Sequence, residues 1–106
     1  MSRELVFLPA ASRDYAEAFQ YYETLSPGFG GPRFEASFRQ SIEQIEDGLV
    51  THRLCFGFYH RVLIQRFPFT IYYRLHADKA IIVAILYSRY APEKIRALIA
   101  SRNVDG

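Results

Sequence analysis

Two kinds of apolar spacing divide the chain. In the first half, Tyr15, Ala18, Phe19, Tyr22 and Leu25 recur at three- and four-residue intervals, and so do Phe34, Phe38, Ile42, Ile45 and Leu49. Each set marks one face of an amphipathic helix. Ser12 stands where its hydroxyl can cap the first helix, and Asp14 suits the positive end of that helix's dipole. Pro32 fits the first turn of the second helix, which runs to about Asp47 and is ended by Gly48. The break between them, Ser26-Pro27-Gly28-Phe29-Gly30-Gly31-Pro32, is short. The helices therefore form an antiparallel hairpin whose apolar face must pack on a sheet.

The second half changes to strand patterns. The stretch from Arg66 to Leu75 is rich in β-branched and aromatic residues, and Ala80 to Tyr87 is a continuous apolar run. The first suits a pleated, half-buried surface; the second suits a strand covered on both faces. His76-Ala77-Asp78-Lys79 between them is short and polar, which predicts a tight hairpin over about 69–87 with its second strand at the middle of the domain. A further strand is expected near Tyr59–Phe67, with Val62, Ile64 and Arg66 on one side and Arg61, Leu63, Gln65 and Phe67 on the other. Pro68 cannot donate to a ladder and marks the turn into the hairpin. Residues 48–58 show no regular pattern. Leu5-Val6-Phe7-Leu8 reads as a short strand stopped by Pro9, with its place in the sheet left open. Pro92 with Ile95, Leu98 and Ile99 predicts a short C-terminal helix. The expected order is β-α-α-β-β-β-α: one α+β domain over residues 1–106, a mostly antiparallel sheet covered by a helical hairpin.

Composition narrows the function classes. Half the 106 residues are apolar and 16% are aromatic, which excludes disorder. No apolar run is long enough to span a membrane, and the first residues lack the apolar core of a signal peptide. The single Cys55 cannot form an internal disulfide, and no His, Cys, Asp or Glu cluster has metal spacing, so a cytoplasmic chain without metal or cofactor is expected. Gly28, Gly30 and Gly31 follow a helix and read as a turn, not a phosphate loop. His52 and His76 read as solvated, and Cys55 as a buried or half-buried thiol.

Net charge is only +2, yet residues 1–47 carry four Arg against eight acids and residues 48–106 carry nine Lys or Arg against three. The sheet half is thus basic and suited to polyanions or acidic partners, unless the two halves neutralise each other across the fold. Arg61, Arg66 and Arg74 fall on adjacent strands and can build one basic stripe, extended by Lys94 and Arg96; a solvated sheet face is the plainer reading. Arg89 lies just after the last strand, where its guanidinium can hold a carboxylate or phosphate bidentately or form a salt bridge to Glu23 or another acid on the helices.

Several fragments, in order and spacing, resemble the RelE/ParE superfamily of small bacterial toxins, especially its ParE-like branch. They are Tyr21-Tyr22-Glu23, Pro27-Gly28-Phe29-Gly30 with Arg33-Phe34, Phe67-Pro68-Phe69-Thr70-Ile71-Tyr72-Tyr73, and Ile81 through Pro92. Tyr87 stands where such sequences often have His, and Glu93-Lys94-Ile95 replaces an aromatic after the proline. The resemblance implies the toxin of a type II toxin–antitoxin (plasmid stabilisation) system, a DNA gyrase inhibitor neutralised by a cognate antitoxin. Such an antitoxin folds across the toxin, here against Tyr15, Phe19, Tyr22 and Phe38, and the target meets Arg61, Arg66, Arg74, Arg89, Lys94 and Arg96. The alternative within the superfamily is a ribosome-dependent mRNA endoribonuclease, for which His60, Arg61, Tyr87 and Arg89 are the available catalytic groups. Against it, the lysines common in RelE-type first strands are missing, and Thr70 stands in place of an arginine. A third reading is an inactive relative serving as an interaction module.

Overall fold

The computed structural model describes residues 2–102, in the order β1 (Glu4–Phe7), α1 (Pro9–Leu25), α2 (Gly30–Asp47), β2 (Arg53–Cys55), β3 (Tyr59–Leu63), β4 (Phe69–His76), β5 (Lys79–Tyr87) and α3 (Pro92–Ser101). The strands form one sheet ordered β1-β5-β4-β3-β2, with β1 parallel to β5 and every other pair antiparallel. The α+β architecture is the one expected, with one strand more. The additional strand is β2, three residues paired to β3 in a stretch whose sequence shows no alternation.

Successive side chains of β4 turn to opposite faces of the sheet. Ile71 and Tyr73, with Ile82 and Ile85 of β5, pack beneath α1 and α2 against Ala18, Phe34 and Ile45. Tyr72, with Val83, Ala84 and Leu86, packs on the other face against Ile95 and Ile99 of α3. Each fully buried isoleucine contributes about 2 kcal/mol, so the two helix–sheet seams carry the fold. The hairpin lies where the pattern placed it, closed by Ala77 and Asp78. Its second strand is covered on both faces, but the sheet's central strand is β4: β1 and β4 flank β5.

Several boundaries move for identifiable reasons. Helix α1 begins at Pro9, with Leu8 extended before it, as a residue preceding proline should be. Ser12 is therefore inside the first turn, where its amide donates to the Leu8 carbonyl (3.1 Å), and it does not cap the helix. Helix α2 starts at Gly30, two residues before Pro32. A Cβ at Gly30 would lie 1.9 Å from the Tyr22 carbonyl oxygen, so only glycine lets α2 begin so close to α1. The Glu23 carboxylate accepts from the amides of Gly28 (2.6 Å) and Gly31 (3.0 Å), which stitches the helical turn together. Gly48 ends α2 at φ +69, as expected. The apolar faces of both helices stop a turn early: Leu25 is 63% and Leu49 85% exposed. Strand β3 also stops early, at Leu63. The Ile64 amide then bonds the Phe69 carbonyl (2.9 Å), and the tight turn, with Arg66 at φ +72, brings both Ile64 and Phe67 under the helices instead of onto opposite sides.

Asp14 does not serve the helix dipole. Its carboxylate accepts from the Ile85 amide (2.9 Å) and from both terminal nitrogens of Arg102 (2.5 and 3.0 Å), and Arg102 also reaches the Val83 carbonyl (3.4 Å). This ties α1, the edge of β5 and the end of α3 to one another.

Candidate functional site

Alternation along β2 and β3 sets the chemistry of the face shared with α3. Arg53 of β2 stands directly opposite Arg61 of β3, so both side chains leave the sheet on that face, from adjacent strands. Neither makes an ion pair among the described residues. Together they line a cleft of about 510 Å³ between the sheet and the start of α3. Its other walls are the aromatic rings of Phe56, Tyr72 and Tyr90, the side chains of Leu63, Pro92 and Ile95, and the hydroxyls of Thr70 and Ser88. Those two hydroxyls share a hydrogen bond of 2.8 Å. Burial, then the neighbouring Cys55, pushes the Tyr72 phenol up, with Arg61 opposing, so Tyr72 stays neutral and can donate. The cleft is cationic, rich in donors and aromatic, which suits an anionic group presented by a larger molecule.

The six arginines and lysines expected on the target side are divided. Arg61 lines the cleft. Lys94 lies 3.8 Å from the centre of the Tyr90 ring and Arg96 5.1 Å from that of Phe56, and both rings are cleft walls. Arg89 is exposed between Ser88 and Tyr90, two further wall residues. It does not bridge to Glu23, whose carboxylate is used by the glycine amides. Arg74 shares the face but stands opposite Tyr59 and Ile81, toward the other end of the sheet. Arg66 lies apart, in a depression beside α2 with Arg33, Ser37 and Gln40. Arg53 and Arg61 thus line one cleft with Lys94 and Arg96 against its aromatic walls, Arg89 lies in the turn between two of its wall residues, and Arg66 and Arg74 stand apart. Arg53 escaped the sequence reading because β2 itself gave no pattern.

The four residues available for nuclease chemistry do not converge. His60 and Arg61 are consecutive in β3 and face opposite sides. The His60 ring stacks on Tyr73 (centroids 5.1 Å apart) under the helices, and its Nδ1 lies 3.0 Å from the His52 carbonyl oxygen. Tyr87 packs edge-on against Phe69 on that same helix side of the sheet. His52 is not solvated as its loop position suggested: Tyr73 Oη lies 2.6 Å from its Nδ1, and Gln44 Oε1 lies 3.3 Å from its Nε2. Burial, with the neighbouring His60 and Arg3 adding to it, holds the His52 imidazole below its ordinary value, while Asp47 opposes. The neutral ring then accepts from Tyr73 and donates to Gln44. Burial also raises the Cys55 thiol, with Arg61 opposing, which leaves it a poor nucleophile.

Tyr15, Phe19, Tyr22 and Phe38 meet in the seam between α1, α2 and the sheet. Tyr15 packs on Phe38 (4.6 Å between centroids) and Tyr22 on Phe34 (5.5 Å), so much of their apolar surface is already used inside the fold. Among the described residues no three metal-ligating side chains gather, and no helix is long and apolar enough to cross a membrane.

No protein-family model matches the sequence, and no curated protein does. Among solved structures the chain is similar to one from "Chromosomal ParDE TA system from P. aeruginosa", with a TM-score of 0.69 and 14% identity. The match covers 79% of this chain and 94% of that one. At that identity the likeness is one of architecture, and the protein has the fold of this ParDE chain.

Proposed function

We propose that the protein is the toxin of a type II toxin–antitoxin system, a ParE-like inhibitor that binds DNA gyrase and is held inactive by a cognate antitoxin. The observation that carries this reading is the fold shared with nearly the whole length of a ParDE chain. The cationic cleft of Arg53 and Arg61 supports it, because guanidinium groups grip a large anionic surface without transforming it. The separation of His60 from Arg61 across the sheet supports it over messenger cleavage, which needs a base and a cation at one phosphate.

The test is induction in bacteria without the antitoxin, followed by a supercoiling assay of purified gyrase with added protein. The expected result is growth arrest, loss of supercoiling and accumulation of cleaved DNA, all reversed by the protein encoded beside the gene. Cuts in translated messenger with gyrase unaffected would replace this reading with the endoribonuclease. Normal growth on induction would leave an interaction module.

A further inference from the structure

Strand β1 pairs only with Lys79 to Ile82, because Pro9 turns the chain into α1, so the second half of β5 is an open sheet edge. In an antiparallel pair, alternate residues turn their main-chain groups to the same neighbour. The Ser88 amide bonds the Pro68 carbonyl (2.8 Å) on the β4 side, so Ile85 and Tyr87 turn outward. Of their four outward groups two are used within the molecule. Asp14 takes the Ile85 N–H (2.9 Å), and the Tyr90 N–H takes the Tyr87 carbonyl (3.2 Å). Among the described residues the Ile85 carbonyl and the Tyr87 N–H remain. A carbonyl at one residue and an N–H two residues on are the pair that a single residue of a parallel strand engages, as β1 does further back along β5.

Ile85 and Tyr87 line a cleft of about 460 Å³, walled by α1 through Asp14, Glu17, Tyr21 and Tyr22 and closed by Tyr90. Asp14 is already neutralised by Arg102, whereas Glu17 is exposed and makes no ion pair among the described residues. Tyr21 is 57% exposed beside it. A free carboxylate among phenol rings selects a cation, which gains from both. We propose that this cleft docks an extended, cationic segment of a partner protein, which adds to the sheet parallel to β5 and sets an arginine between Glu17 and the tyrosine rings. The charge preference is opposite to that of the arginine-lined cleft on the α3 face, and the proposal does not depend on the toxin reading.

The test uses the whole chain, ¹⁵N-labelled, titrated with the peptide acetyl-Thr-Val-Arg-Val-Thr-amide while amide resonances and exchange rates are followed. The Tyr87 amide should exchange freely in the unliganded protein, and added peptide should shift it and slow its exchange. The same peptide with Glu for Arg, or N-methylated at the Arg, should lose most of the shift, and Glu17→Gln should weaken the arginine peptide about threefold. The proposal is overturned if Tyr87 is already protected, if the peptide leaves it unmoved, or if the glutamate or N-methyl peptide binds equally well. Concentration-dependent self-association that protects Tyr87 would instead assign the edge to a second copy of the chain.

Discussion

Removing one partner of the Asp14–Arg102 pair should destabilise the protein more than removing both. The two side chains are only 11% and 16% exposed, and the carboxylate receives three hydrogen bonds, one of them from the edge of β5. Arg102→Met leaves a nearly buried carboxylate with only the Ile85 amide; Asp14→Leu leaves a nearly buried guanidinium beside the Val83 carbonyl and frees the amide as well. Stranding a buried charge costs about 3–5 kcal/mol, and residual solvent contact places each single variant near the lower end. For a domain of this size, about 3 kcal/mol corresponds to a fall in Tm of roughly 12–24 °C. The double variant Asp14→Leu/Arg102→Met buries no charge and loses chiefly the bond to Ile85, about 1–2 kcal/mol. Urea denaturation of the four proteins then closes a double-mutant cycle with a coupling of at least about 2 kcal/mol. A double variant whose loss equals the sum of the two single losses would refute the reasoning, because the groups would then be acting independently.

Three further outcomes follow from the same structure. His52 is held neutral by burial, so the unfolded chain binds the proton more readily; its contribution to stability is full above the ordinary imidazole value near 6.5 and is lost as pH falls through the lowered folded value. Thermal melts should therefore show Tm dropping on acidification below about pH 6.5, and His52→Gln should flatten that segment of the profile. Gly30→Ala should cost several kcal/mol and unfold most of the chain at 37 °C, since its Cβ would enter the Tyr22 carbonyl; a circular dichroism melt matching the wild type would contradict that close approach. In the induction assay Arg89→Ala should relieve growth arrest more than His60→Ala, and relief confined to the histidine change would point to acid–base chemistry.

What the sequence disclosed was set by how local its causes are. Helices α1 and α2, the hairpin β4–β5 and α3 were legible because spacing at 3.6 or 2 residues marks a buried face wherever it is sustained. Strand β2 was not, since three residues are too few for any period, and with it went Arg53. The parallel place of β1 beside β5 depends on a long crossover and leaves no local mark. Asp14 and Arg102 lie 88 residues apart, so nothing in the pattern joins them. The opposition of His60 and Arg61, by contrast, was implicit in strand parity, which sends consecutive side chains to opposite faces. Ser12 misled as a cap because a proline three positions earlier had already opened the helix.

Arg53 and Arg61 stand opposite each other with no acid among the described residues that line their cleft, so the two like charges repel across the strand pair. Any polyanion that seats there relieves that repulsion, and the energy released is added to the resistance of the fold against heat. The melting temperature of this small domain is therefore also a gauge of occupancy, readable in a crude lysate before the occupant has been identified.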